Sequence, residues 1–198
     1  PSPQKYMSPR LSFPPGQIPT NPDPTDADCI NPSVSETGEV VFESISNELD
    51  DRTVFSTPTT QIYLMKFDSQ NLSLPASQSD YDEIISVGGL NIPGKNGDST
   101  SPHISQSGRY VTFLSQASNL SAQASGTHTQ VFCRDRTELN THLISIPTGG
   151  AVEADNHQQT PSVTDLGQVV FSSDSVNLIH GDANFATDIY FRYRDTKP

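Results

Sequence analysis

One motif occurs three times in this chain, and it limits the fold more than any other feature. PSVSETGEVVFES runs from Pro32 to Ser44, PHISQSGRYVTFLS from Pro102 to Ser115, and PSVTDLGQVVFSS from Pro161 to Ser173. Each copy has a proline, a short β-branched run, a polar turn closed by a glycine, and an alternating run that carries a phenylalanine. The glycines are Gly38, Gly108 and Gly167; the phenylalanines are Phe42, Phe113 and Phe171. The second copy has one extra residue after the turn. An Asn with a Leu close behind follows each time: Asn47 and Leu49, Asn119 and Leu120, Asn177 and Leu178. A third run comes next: QIYLMKFD from Gln61, QVFCRD from Gln130 and DIYFRYRD from Asp188, ending on Asp68, Asp135 and Asp195. A fourth run, EIISVGG from Glu83 and HLISIPTGG from His142, follows in two of the units.

Period-two alternation punctuated by Gly or Asn turns specifies hairpins. Four such strands in up-and-down order make a small twisted sheet with two apolar faces, and the sheet alone can bury neither. Stacking copies face to face buries both, and radial stacking gives a propeller. The repeat therefore predicts an all-β chain of three antiparallel units over about 28–97, 98–155 and 156–198, the last stopping before its fourth strand. The template Phe, Val and Ile residues are its expected core.

Residues 1–27 stand apart. Nine of the 16 prolines lie in residues 1–32. Such a stretch cannot be helical or form a central strand, so the sequence predicts an extended arm. Tyr6, Met7, Leu11, Phe13 and Ile18 are its only anchors, and they are expected to contact a neighbouring subunit or blade.

With 23 acidic and 11 basic side chains the net charge is −12. Contact with nucleic-acid phosphates needs a basic face, so that class is disfavoured, as is docking on anionic lipid. No apolar run approaches the ~20 residues of a membrane helix.

Few residues suggest chemistry. In the loop GDANFATD, Asp182, Asn184 and Asp188 offer oxygen ligands at a spacing that suits Ca²⁺, but the loop lacks the Gly and distal Glu of an EF-hand and Asx-type hydrogen bonding is the simpler account. The five histidines, His103, His128, His142, His157 and His180, have no zinc-site spacing. Cys29 and Cys133 are the only cysteines; an oxidising compartment would favour a bond between them, although one precedes a first strand and the other lies within a third. Arg109, Arg134, Arg136, Arg192 and Arg194 cluster near strands of the last two units. They read as edge-strand charge or as an acceptor patch for an acidic partner.

The runs SPHISQSGRYVTFLSQASNL…QVFCRD…HLIS and TPSVTDLGQVVFSSDSVNLIHGDANFATDIYFRYRD resemble the repeat of TolB-type (WD40-like) β-propellers. The resemblance spans about residues 28–195 and is weaker in the first unit. It implies a propeller fold, commonly outside the cytoplasm, used for protein or ligand binding, with no shared catalytic residue. Closed propellers have about four to eight blades, so three units would form a ring only with a longer chain, a second copy or a larger assembly. The arm would then supply a strand. The expected function is a non-enzymatic scaffold or binding module, periplasmic, secreted or at the cell surface, that works through other protein chains or copies of itself and needs no cofactor. Two alternatives are a calcium- or ligand-binding sensor using the Asp182 loop and the non-catalytic propeller part of a larger hydrolase. The sequence contains no Gly-x-Ser-x-Gly nucleophile elbow.

Overall fold

The computed structural model describes residues 28–45, 59–66, 83–88, 92–94, 96–148, 150 and 152–193. These form eleven strands and no helix. The first sheet contains β1 (Cys29–Val34), β2 (Glu39–Ser44), β3 (Gln61–Lys66) and β4 (Glu83–Ile84). The second contains β5 (Ser99–Ile104), β6 (Tyr110–Ser115), β7 (Gln130–Asp135) and β8 (Asn140–Leu143). The third contains β9 (Gln158–Val163), β10 (Val169–Ser173) and β11 (Asp188–Arg192). Every pairing is antiparallel and joins neighbours in the chain, so each sheet is an up-and-down meander. The sheets coincide with the three repeats.

The template residues explain the hairpins. Gly38, Gly108 and Gly167 have φ of 81°, 77° and 72°, a region L side chains rarely adopt. Each donates its N–H across the turn, to the carbonyls of Ser35, Ser105 and Thr164. The hydroxyls of those same residues accept from the N–H groups of Glu39, Tyr110 and Gln168, so one side chain per repeat braces the turn. The residue before each template proline is less expected. Asn31, Ser101 and Thr160 have φ of 51°, 53° and 44°, although a following proline normally favours extended backbone. In every sheet the first strand is bulged at this point, where its register shifts.

Two of the three buried apolar clusters lie between sheets, and the third, with Val40, Phe42, Tyr63 and Met65, lies on the first sheet's opposite face. Val41, Ile62, Leu64 and Ile85 of the first sheet pack against Ile104, Val111, Phe113, Phe132 and Leu143 of the second. Tyr110, Leu114, Val131 and Cys133 on the second sheet's other face pack against Val163, Val169, Phe171 and Tyr190 of the third. β5 lies across β1, β2 and β3, and β9 lies across β5, β6 and β7. The sheets thus stack in chain order. The template Phe of each sheet stacks on the aromatic beside it in the third strand: Phe42 on Tyr63, Phe113 on Phe132 and Phe171 on Tyr190, with centroids 6.1, 5.7 and 5.7 Å apart. The template Leu residues Leu120 and Leu178 join the same cores. Asn119 and Asn177 donate to the carbonyls of Pro93 and Glu153, tying each repeat to the end of the preceding one. The expectation that template Val and Ile residues are core fails at Val34, Val170 and Ile189, which are exposed.

Polar ties reinforce the first two sheets. Arg136, just beyond β7, donates to Glu83 at 2.7 Å, to Glu39 at 3.0 Å and to the Gly108 carbonyl at 2.7 Å. Its guanidinium is partly buried. Burial opposes its charge, but Glu83 and Glu39 outweigh that and raise its pKa.

Candidate interaction surface

The repeats supply their own standard for what each position should meet. In β3, Tyr63 shares a face with Phe42, and Ile62 and Leu64 take the opposite face, where the second sheet buries them completely. In β7, Phe132 plays the part of Tyr63, and Val131 and Cys133 are buried against the third sheet. In β11 the matching residues are Tyr190, which is buried, and Ile189 and Phe191, which are 71 % and 55 % exposed. Val170, directly opposite Phe191 in the β10–β11 register, is 38 % exposed, whereas its counterpart Val41 is fully buried. Tyr193 extends the face with its ring 6.4 Å from that of Phe191. Val170, Ile189, Phe191 and Tyr193 carry no formal charge. Leu166, in the β9–β10 turn, and Phe185, in the loop before β11, are exposed at opposite ends of the strands.

The edge of the third sheet differs as well. In the first sheet the Ser86 hydroxyl donates to Gln61 Oε1 at 2.7 Å and accepts from the Ile62 N–H at 3.0 Å. In the second, the Ser145 hydroxyl donates to Gln130 Oε1 at 2.6 Å and accepts from the Val131 N–H at 2.9 Å. The Ile85 and Ile144 N–H groups donate to the carbonyls of Ile62 and Val131, both at 2.8 Å. The same pin therefore fixes the segment that follows the third strand in two sheets. In the third sheet Asp188 occupies the Gln position, and among the described residues no strand pairs with the outer edge of β11.

The residues singled out in the sequence are distributed as follows. Asp182 accepts from the Asn184 N–H at 3.4 Å and from the Tyr190 hydroxyl at 3.1 Å. Asn184 donates its side-chain amide to Asp188 at 3.3 Å and accepts from the Ala186 N–H at 2.9 Å. Asp182 and Asn184 each accept a local Asx-type bond, and Asn184 links to Asp188 through its side-chain amide. Among the described residues no three His, Cys, Asp or Glu side chains form a metal-holding group. Burial, then the bond to Asp182, pushes the Tyr190 phenol up to about 12. Cys29 and Cys133 are not joined in a disulfide and lie in different packing layers: Cys29 lies on the face of the first sheet turned away from the second, and Cys133 faces the third. Tyr6, Met7, Leu11, Phe13 and Ile18 lie outside the described residues.

The four described arginines contact groups within the chain. Arg109 grips Asp135 through two bonds of 3.1 and 2.8 Å. Burial works against the Asp135 charge, but Arg109 and the Glu138 and Thr137 N–H groups overcome it and hold the carboxyl below its ordinary value. Arg134 is buried, and Arg192 donates to the carbonyls of Ile146 and Leu178. Arg194 lies outside the described residues. His103 joins the second and third sheets: its Nδ1 accepts from the Val163 N–H at 3.2 Å, and its Nε2 lies 3.3 Å from the Ser162 hydroxyl. An accepting Nδ1 makes the ring neutral, and burial lowers its pKa. Compared with known proteins, the chain matches no family model and no curated sequence.

Proposed function

We propose that this chain is a TolB-type β-propeller module, each sheet a blade, and that it works as a non-enzymatic assembly component outside the cytoplasm. Up-and-down sheets that stack in chain order and each carry the same aromatic pair support the blade reading. The extracytoplasmic setting rests on the repeat resemblance, and the non-enzymatic role on that resemblance and the missing nucleophile elbow. One observation carries the assembly role. The residue positions that a following sheet covers twice within the chain are uncovered on the third sheet. A contiguous apolar patch of this kind on a soluble surface marks an interaction site.

The occupant is a second copy of the chain, packed through the same face about a two-fold axis. The face is neutral while each copy carries −12, so added salt screens the repulsion and tightens association. Sedimentation equilibrium tests this directly. The purified chain should be a dimer, and Phe191→Lys, which places a charge on the exposed face, should yield a folded monomer. A wild-type monomer across the accessible concentration range overturns the proposal, as does a Phe191→Lys variant that dimerises equally well.

A further inference from the structure

Neighbouring sheets are fastened at the same two positions in both seams, but with different chemistry. Between the first and second sheets, the Ser33 hydroxyl accepts from the Ile104 N–H at 3.2 Å, and a carboxylate oxygen of Asp98 accepts from the Thr60 N–H at 2.8 Å. Between the second and third, His103 Nδ1 accepts from the Val163 N–H at 3.2 Å, and His157 Nδ1 accepts from the Thr129 N–H at 3.0 Å. The positions correspond one for one. Ser33 and His103 directly follow the template prolines Pro32 and Pro102, and their donors Ile104 and Val163 lie two residues beyond the template prolines of the next repeat. Asp98 and His157 directly precede β5 and β9. Beside them the Ser99 and Gln158 N–H groups donate to the carbonyls of Thr60 and Thr129, at 2.8 and 3.0 Å.

A hydroxyl or a carboxylate keeps an accepting lone pair across the neutral range, whereas an imidazole nitrogen loses it on protonation. A ring nitrogen that accepts an N–H is unprotonated, so both rings are neutral with the proton on Nε2. In His103 that nitrogen lies 3.3 Å from the Ser162 hydroxyl. A second proton turns Nδ1 into a donor facing a donor, which ends the bond and strands a backbone N–H at the seam. The surroundings offer the cations little relief. Thr112, Cys133 and His142 follow His103 across the second sheet, and β9, which faces it, contains no charged residue. Glu43, on the first sheet, is engaged with the Ser101 N–H and the Asn31 amide. Burial lowers the His103 pKa. The His128 ring stands edge-on to His157 at 5.4 Å, so a charge on His128 opposes one on His157. Glu153, Asp155 and Asp174 on the adjoining loops are engaged with Ser125, the Val176 N–H and Thr187.

We propose that the seam between the second and third sheets is an acid-released junction: protonation of His103 and His157 loosens the third sheet from the second, while the seam held by Ser33 and Asp98 stays closed. Opening exposes the apolar cluster of Tyr110, Leu114, Val131, Val169 and Phe171 to water. Both histidines bind protons more readily in the open seam, where no N–H competes for Nδ1. The seam is therefore tightest above the ordinary histidine value of about 6.5 and weakens as pH falls below it. Each histidine shifts the opening equilibrium by up to about tenfold per pH unit, and the pair by up to about a hundredfold. The device does not depend on what covers the outer face of the third sheet.

Amide hydrogen exchange of the full chain, followed by NMR and corrected for the intrinsic pH dependence of exchange, reads both seams in one sample. The range from about pH 7.5 to about pH 5.5 crosses the histidine value and stays above ordinary carboxylate titration. Over it the protection of the Thr129 and Val163 amides should fall by at least about tenfold, and that of Thr60 and Ile104 should hold within about twofold. Exchanging the acceptors supplies the second arm. His103→Ser with His157→Asp should abolish the fall, and Ser33→His with Asp98→His should confer it on Thr60 and Ile104. Constant protection of Thr129 and Val163, an equal fall at all four amides, or a fall that persists in the His103→Ser, His157→Asp variant overturns the inference. The wild-type comparison decides by itself should a variant fail to fold.

Discussion

Replacing Arg136 with Met tests whether one side chain fastens the second sheet to the first. The substitution keeps most of the volume and removes three hydrogen bonds, to Glu83, Glu39 and the Gly108 carbonyl. Glu39 and Glu83 would stay partly desolvated, with side chains only 11 % and 23 % exposed. Breaking a fully buried ion pair costs about 3–5 kcal/mol, and an exposed pair is worth about 0–1. Glu39 keeps its bond from the Thr37 hydroxyl, which softens the loss. The partial exposure places Arg136→Met at about 2–3 kcal/mol. In a chain of this size that lowers the melting temperature by about 5–10 °C. Urea unfolding should show an earlier midpoint with an unchanged slope. Adding Glu83→Gln removes one of the two carboxylates that lose Arg136, the one still 4.0 Å from the Arg134 guanidinium, so the double variant should recover about 1 kcal/mol relative to additivity. A single-variant effect below about 0.5 kcal/mol, the range of ordinary surface substitutions, would refute the pin. Strict additivity would show that the two residues do not act together.

Three further outcomes follow from the same geometry. The folded pKa of His103 is depressed by burial, so the unfolded chain binds its proton first as pH falls. Stability from this residue is complete above about pH 6.5 and declines below it; His103→Gln should flatten that part of the pH–stability curve, and an unaltered curve would remove His103 from the account. Gly97 lies so close to the next loop that an added Cβ would sit 2.5 Å from the Gln116 carbonyl carbon. Gly97→Ala must move backbone, and a loss of about 1–3 kcal/mol is expected in urea unfolding; a neutral result would mean the loops separate freely. Phe113→Ala empties a fully buried site between the first two sheets and should cost about 3–5 kcal/mol. A cost near 1 kcal/mol would indicate a core that collapses around the gap.

The fold was legible where one residue type has one physical use. A glycine that closes a hairpin at positive φ, a Phe in an alternating run and strands of matched spacing recur three times, and the sheets follow them. The Gln–Ser pins were also visible as repetition, since Gln61 and Gln130 open their strands and Ser86 and Ser145 sit alike in the fourth runs. Their meaning depends on which strand edges meet, and spacing alone does not say that. Local rules pointed the other way for Asn31, Ser101 and Thr160, because a following proline favours extended backbone; the bulge prevails over that preference. Arg136 was ambiguous for a different reason: its partners are 53 and 97 residues away. Val170 and Ile189 matched the core template yet are exposed, because a residue's burial depends on the neighbouring sheet as well as on its own strand.

The central claim is that the outer face of the third sheet is covered when the protein works. Methyl relaxation by a soluble paramagnetic agent measures that cover residue by residue. Ile62 and Val131 should be shielded at every concentration and serve as internal standards, being completely buried within the chain. Ile189 and Val170 should be shielded in the concentrated wild-type protein and become accessible on dilution or in Phe191→Lys. Strong relaxation of Ile189 and Val170 at all concentrations, equal in wild type and variant, would contradict the account.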